Sequence, residues 1–423
     1  MLHTAAKYSG KPTVKSRVWL KNGVTLESES GPENTFIVGS AATVEDRNAY
    51  DNGSNAVRCA VLEANTRIKG FTLTGGHTGS LLRSDGTSER VDDCAGAAVL
   101  GADQSSSIVE DCIISNNVAG LCAAGYACSF NRCRIINNKG ISRAAAGRSC
   151  KYYRSLIDGN HGVNQLELFG ALDSCTVGSN AWTMAGGTGA AVVYNSSAMI
   201  VNSIILGRVY DIDTSNYIRG TNSVFRTGCG IAATNAVGCI ITNYAAIAFD
   251  EGYRPKIGAN VAIDMADETL SDAALIGDTD IYGTHVMNGV RDLGAVEADW
   301  RARYAADLGG RIAVTTVSPE VRENAAGHVY LPGGSLEGTF AATAKATRRT
   351  LDFLVTGTGT LTVVVADETV GTFTAGEAVQ NCTLTLPPAG GTLRLIYEPG
   401  ANDVGGAEIL ACARLSGTAL VFR

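Results

Sequence analysis

Between Cys112 and Ile157 there is no aspartate or glutamate, yet seven basic residues fall there: Arg132, Arg134, Lys139, Arg143, Arg148, Lys151 and Arg154. The chain as a whole carries 34 Lys and Arg against 41 Asp and Glu, a net charge of −7, so this stretch inverts the prevailing sign. Guanidinium groups bond carboxylate or sulfate in a planar, bidentate way. With Lys151, Tyr153 and His161 close by, the stretch holds the group types that β-elimination of a uronic acid needs. The substrate carboxylate must be neutralised, a proton removed from the neighbouring carbon and the leaving oxygen protonated. On that reading Arg132 and Arg154 clamp the carboxylate, and Arg134, Arg143 and Arg148 extend the cationic surface. Lys151 or His161 is the base, Tyr153 is the acid or a stacking platform, and Asp111 and Asp173 bind sugar at the edges. A competing reading pairs these arginines with Glu110, Asp111, Asp158 and Asp173 in solvated ion-pair ladders, which are common and individually weak. A hydrolase would need two carboxylates about 5–9 Å apart. Glu110 or Asp111 and Asp173 stand three coils apart, ~14 Å, too far for that.

The elements that must position these groups are visible as a repeated phrase. It is an apolar residue, two polar ones, Cys or Ser, any residue, then an aliphatic: Val109-Glu110-Asp111-Cys112-Ile113-Ile114, Phe130-Asn131-Arg132-Cys133-Arg134-Ile135 and Tyr152-Tyr153-Arg154-Ser155-Leu156-Ile157. It continues as Leu172-Asp173-Ser174-Cys175-Thr176-Val177 and Ile200-Val201-Asn202-Ser203-Ile204-Ile205, with fainter copies ending at Phe225 and Ile241. A period near ~20 residues is too short for a strand plus a crossover helix and suits several short strands joined by turns. Residues two apart share a side of a strand. The inward columns are therefore Ile114, Ile135, Ile157, Val177, Ile205, Phe225, Ile241 and Cys112, Cys133, Ser155, Cys175, Ser203, Ser223, Cys239. Asn117, Asn138, Asn160 and Asn180 recur five residues after the Cys or Ser, as a ladder of stacked amides would. Earlier coils are expected at Ile68–Leu73 and Val24–Leu26. The fold expected is all-β, a right-handed parallel β-helix over residues 1–300, in which Arg132 and Arg154 share one outward column.

Gly70-Phe71-Thr72-Leu73-Thr74-Gly75-Gly76, followed by Cys112-Ile113-Ile114-Ser115-Asn116-Asn117, resembles the repeats of secreted bacterial pectate-lyase-like β-helix proteins. Asn288-Gly289-Val290-Arg291-Asp292-Leu293-Gly294-Ala295-Val296-Glu297 resembles the closing motif of their choice-of-anchor Q group. The resemblance covers about residues 20–300. It implies a β-helix in a secreted or cell-surface setting, and a superfamily of lyases, hydrolases and adhesins.

The texture changes after residues 299–310, where Trp300-Arg301-Ala302-Arg303-Tyr304 suggests a short capping helix. Thr339–Thr347, Thr350–Thr356, Thr360–Ala366, Thr369–Thr374, Thr383–Leu386, Thr392–Tyr397 and Glu408–Ala413 are strand-like runs separated by turn residues. They predict a small antiparallel β-sandwich over 311–423, jelly-roll-like, serving as a carbohydrate-binding module or a cap. The acidic balance disfavours nucleic acid as a partner. No apolar run approaches the ~20 residues of a membrane span. Met1-Leu2-His3-Thr4 does not begin an export signal, so localisation rests on the resemblance, with that signal trimmed from this chain. The interior column argues for free thiols among the 12 Cys. No metal or cofactor is called for, although Asp92-Asp93, in the insertion from His77 to Cys94, could ligate calcium. Three functions fit: a lyase on an anionic polysaccharide, a non-catalytic glycan-binding or adhesin-type protein using the same face, and a structural stalk.

Overall fold

The structure is a computed structural model. It describes residues 14–45, 50–79, 91–142, 144–162, 164–167, 170–178, 181–182, 193–194, 199–207, 209–210, 218–243, 246–257, 260–286, 290–308, 312–324, 326, 328–376 and 378–414. The chain divides into two compact units, Met1–Thr284 with Arg291–Glu297, and His285–Val290 with Ala298–Arg423.

The first unit is a parallel β-helix. Each coil gives one short strand to each of three sheets, because coils of this length return to the same corner one layer on. Sheet A runs in eight strands from Lys15–Leu20 to Val209–Tyr210. Sheet B has nine, from Thr25–Glu27 to Ala236–Val237, and sheet C nine, from Phe36–Val38 to Ile240–Thr242. A short sheet D of four strands, Val118–Ala119 to Ala181–Trp182, lies beyond sheet C in each coil. The coil at Val24–Leu26 is real, since Leu26 pairs Ile68, and Ile68 pairs Val109.

The repeated letters stack as read. Ile114, Ile135, Ile157, Val177, Ile205 and Phe225 are partners layer by layer in sheet C and are fully buried. In sheet B the matching column includes Val109, Phe130, Tyr152, Leu172 and Ile200, with the Phe130 and Tyr152 rings stacked at 5.4 Å. Burying each such side chain stabilises the fold by roughly 1.5–3 kcal/mol. Ile241 departs from expectation: it keeps register with Phe225 but is 46% exposed. No described strand stacks beyond Ile240–Thr242, so that layer lacks a cover on one side.

Two polar columns inside are satisfied by the same stacking. The Asn117 amide nitrogens, backbone and side chain, donate to Asn138 Oδ1 at 3.2 and 2.9 Å, and those of Asn138 donate to Asn160 Oδ1 at 2.9 and 3.0 Å. Asn180 lies outside the described residues. The small column does the same work with hydroxyls, which the sequence reading did not foresee. Ser155, Ser203 and Ser223 Oγ accept the backbone N–H of Cys133, Cys175 and Ser203 one layer back, at 3.0, 2.9 and 3.1 Å. All twelve cysteines are free thiols, and burial pushes Cys112 up to about 12.

The second unit holds a helix, Arg301–Asp307, and two five-stranded antiparallel sheets. Phe353 of one sheet packs edge-on against Phe373 of the other at 4.7 Å, as in a sandwich. Three strands went unread in the sequence: Ile312–Val317, Arg322–Glu323 and Val329–Leu331. The run expected at Thr339–Thr347 is instead the end of strand Gly334–Phe340, a turn, and the start of strand Thr347–Val355. No helix among the described residues is long and apolar enough to cross a membrane.

If the amide ladder ties the coils, Asn138→Ala leaves several buried partners unsatisfied. It should cost about 3 kcal/mol, read as a lower urea midpoint at unchanged slope. A cost under about 1 kcal/mol would show that the ladder is incidental.

Candidate functional site

After eight of the nine sheet B strands, all but Thr25–Glu27, the backbone turns through one residue of positive φ: Gly70 (76°), Asp111 (50°), Arg132 (51°), Arg154 (43°), Ser174 (54°), Asn202 (48°), Asn222 (44°) and Gly238 (63°). Glycine and asparagine take this conformation readily, whereas other residues lose roughly 1–2 kcal/mol there. The corner is built by interlayer bonds. Arg132 N donates to Tyr153 O at 2.8 Å, Arg154 N to Asp173 O at 2.8 Å and Ser174 N to Val201 O at 3.0 Å. Arg132 and Arg154 thus share a column, as the repeat implied.

That column faces a strap, residues 260–284 and 291–297, rather than solvent. Asn222 Nδ2 donates to Met265 O at 2.8 Å. Asn202 exchanges bonds with both the N–H and the carbonyl of Asp267, at 2.9 and 2.8 Å. Ser271 Oγ donates to Asp173 Oδ1 at 2.6 Å. Arg154 donates to Gly277 O at 3.1 Å and pairs with Glu297, while Arg132 reaches Leu275 O at 3.4 Å. The strap also covers the outer side of sheet C, where Ile204 and Val224 pack with Ala262 and Leu293, and Leu156 packs with Ala295 and Val296. At Gly294 (φ 95°) a Cβ would come within 2.5 Å of Thr176 Oγ1, so the strap approaches this closely only through glycine.

This placement corrects the clamp. Arg154 has no exposed surface, its partner Glu297 is 2% exposed, and neither can meet a polymer. Burial lowers the proton affinity of Arg154 despite Glu297. Burial, and then the neighbouring Asp292 carboxylate, push Glu297 up to about 8 against the pull of Arg154. Arg132 is bound by Asp111 at 2.7 and 3.3 Å and by Glu110 at 2.9 Å, which is the ion-pair ladder of the competing reading. Asp111 is thereby occupied as well. Arg134 stands on the outer side of sheet C, paired with Glu33 and 5.4 Å over the Tyr282 ring. Arg148 is in sheet A and His161 is exposed in sheet D, so neither shares a sheet with Lys151 and Tyr153. A base role for His161 beside Tyr153 is not formed. Arg143 lies outside the described residues, as does residue range 80–90 of the insertion; Asp93 is buried.

What the structure does bring together is the outer side of sheet B. One column places Ser129 beside Lys151; the next runs Glu110, Asn131, Tyr153, Asp173. Lys151 and Tyr153 are half-buried, and no ion pair engages Lys151 among the described residues. Asn131 is 3% exposed and its Oδ1 has no hydrogen-bond partner. Burial, then Asp173 and Asp272, raise the Tyr153 phenol, which keeps it a hydrogen-bond donor. Burial raises Asp173 too, although Ser271 and Ser174 hydroxyls oppose it. Further along, Met199 is 56% exposed and Arg219 is exposed. The face therefore offers a phenol, an ammonium and, further along, an exposed thioether and a guanidinium. Glu110 and Asp173 bracket it three layers apart, ~14 Å, which excludes a two-carboxylate hydrolytic pair between them. Asn131 and Glu297 were both missed in the sequence; Glu297 had a signal, as the last letter of the closing motif.

No protein-family model and no curated protein matches the chain. Among solved structures it is similar to the CBM36-1 domain of a multidomain xylanase from the hindgut metagenome of Trinervitermes trinervoides, at 18% identity and TM-score 0.19, over 26% of this chain and 94% of that one. It is similar to a carbohydrate-binding module CBM36 in complex with calcium and xylotriose, at 14% and 0.18, over 23% and 88%. It is also similar to the enzymatically active domain of bacteriophage CBA120 tailspike protein 4, at 13% and 0.18, over 93% of this chain and 60% of that one. Such scores carry neither a fold nor an activity, and the architecture above rests on the hydrogen-bond register.

An acid whose folded pKa is raised contributes stability that is present at low pH and lost as pH rises through the folded value. For Glu297 the window runs from its usual 4.5 to about 8. Glu297→Gln should match the wild type in melting temperature at the acid end and exceed it increasingly as pH approaches 8. A wild type that instead gains on the variant with rising pH would mean the charged pair with Arg154 dominates.

Proposed function

We propose that this chain is an extracellular glycan-binding solenoid that holds an extended polysaccharide along the outer side of sheet B without cleaving it. One observation carries the reading: the half-buried Lys151 and Tyr153 stand two residues apart on the same outward side of one sheet B strand. The Tyr153 ring offers a stacking surface of the kind that dominates many binding sites. Lys151 and the exposed Arg219 favour a polymer bearing carboxylate or sulfate. The extracellular setting follows the resemblance of the repeats. No metal or cofactor is invoked.

Lyase chemistry is the second reading, supported by Lys151 and a protonated Tyr153 two residues apart on one strand side. It lacks the arginine clamp, because Arg154 is committed to Glu297.

Affinity electrophoresis or calorimetry with polygalacturonate, alginate and a neutral glucan tests the proposal. Tyr153→Ala should weaken binding about tenfold, a loss of ~1.4 kcal/mol. Arg134→Ala, on the other side of the corner, should leave it unchanged. Release of unsaturated uronate, followed by ultraviolet absorbance and abolished in Lys151→Ala and Tyr153→Phe, would make the protein a lyase. Absence of binding to all three polymers would remove the glycan reading.

A further inference from the structure

The outer side of sheet B carries its cations at an interval. Register places Lys151, Ala171, Met199 and Arg219 in successive layers of one column. Their strand neighbours Tyr152, Leu172 and Ile200 are fully buried, so this column faces outward. At ~4.8 Å per layer, Lys151 and Arg219 stand ~14 Å apart. Arg67 keeps the same interval on the other side of Lys151, with Ile108 and Ser129 in the layers between. Its guanidinium is met by Glu110 at 3.2 Å, so Lys151 and Arg219 are the two points that set the interval.

The two layers between these cations differ from them in chemistry. One presents Ala171, with Asp173 two residues along the strand, and the next presents Met199 with Val201. An anion above Ala171 meets a carboxylate. An anion above Met199 meets a thioether and an aliphatic chain, which give no charge-assisted hydrogen bond. The cationic layers instead set a hydroxyl two residues from each charge, Tyr153 beside Lys151 and Thr221 beside Arg219. One sugar of an extended β-1,4-linked chain advances about as far as one layer of the coil. A chain lying along the column therefore matches sugars to layers one by one.

We propose that the polymer held on sheet B is sparsely charged, with one anionic sugar followed by two neutral ones. The anionic sugars lie over Lys151 and Arg219. The neutral ones lie over Ala171 and Met199, whose exposed thioether packs against the apolar face of a pyranose. The inference rests on the glycan-binding reading of sheet B and names the kind of polymer that side selects. Selectivity has an attractive part, the bonding of anions by ammonium and guanidinium, and a repulsive part, an unanswered or opposed charge in the two layers between. A uniformly charged polyuronate gains the first and suffers the second.

Three β-1,4-linked glucose oligomers test the spacing by calorimetry on the full chain. Each carries a glucuronate at both ends, with one, two or three neutral glucoses between. The oligomer with two should bind about tenfold more tightly than either of the others. Lys151→Ala should remove that preference. Lys151→Ala combined with Ala171→Lys moves the cation one layer nearer Arg219, and the preference should move to the oligomer with one neutral glucose. Equal affinity for all three, or a preference for two that survives Lys151→Ala or Arg219→Ala, would overturn the spacing. So would failure to bind any of them in a protein that binds polygalacturonate, a result that leaves the glycan reading of sheet B standing. A protein that binds neither these oligomers nor polygalacturonate, alginate or neutral glucan would overturn both.

Discussion

A parallel coil repeats its backbone hydrogen bonds at every layer, ~4.8 Å apart, so each side chain is fixed between its counterparts above and below. The constraint acts with most force at the corner after sheet B, where one residue in each coil from Gly70 to Gly238 adopts positive φ. The corner bonds run from that residue's N–H to the layer beyond, which leaves its side chain projecting outward and uncommitted by the ladder. What stands there is answered by the neighbouring layer, as Glu110 and Asp111 answer Arg132, or from outside the coil. At Asn202 and Asn222 the answer is backbone of the strap; at Arg154 it is Glu297 and Gly277 O.

The strap follows from a second consequence of stacking. Sheet C exposes Leu156, Ile204 and Val224 on its outer side, and a row of aliphatics there needs a cover. Residues 260–284 and 291–297 provide it, and the corner column holds them in place. Two of the repeat's outward sides are thereby spent on structure. Sheet B keeps a side with both polar and apolar character, and Asp173 belongs to both systems, since it accepts from Ser271 of the strap and sits one layer from Tyr153.

The inward letters were fully legible because they depend only on the period: Ile114 to Phe225, and Asn117 to Asn160, stand where the repeat put them. The sharing of a column by Arg132 and Arg154 was legible for the same reason. Their use was not, because Glu297 lies 143 residues beyond Arg154 and no local pattern links them. Two signals were available. Arginine at a corner favouring glycine or asparagine indicates a side chain held by partners, and aliphatics at outward positions 156, 204 and 224 indicate a covered side. In the terminal unit, strands at 312–317, 322–323 and 329–331 escaped because short runs without a stacking register resemble loops. His161 was grouped with Lys151 by nearness in sequence, although one coil distributes neighbours over separate sheets.

The central claim is that the corner column exists to hold the strap, which leaves the outer side of sheet B as the working surface. Hydrogen exchange in Asn202→Ala, compared with wild type, tests this directly. The amides of Asp267, Gly294 and Ala295 should exchange much faster, while those of Arg134, Leu156 and Tyr153 within the coils keep their protection. Unchanged protection of the strap, or equal loss across the whole β-helix, would contradict the account.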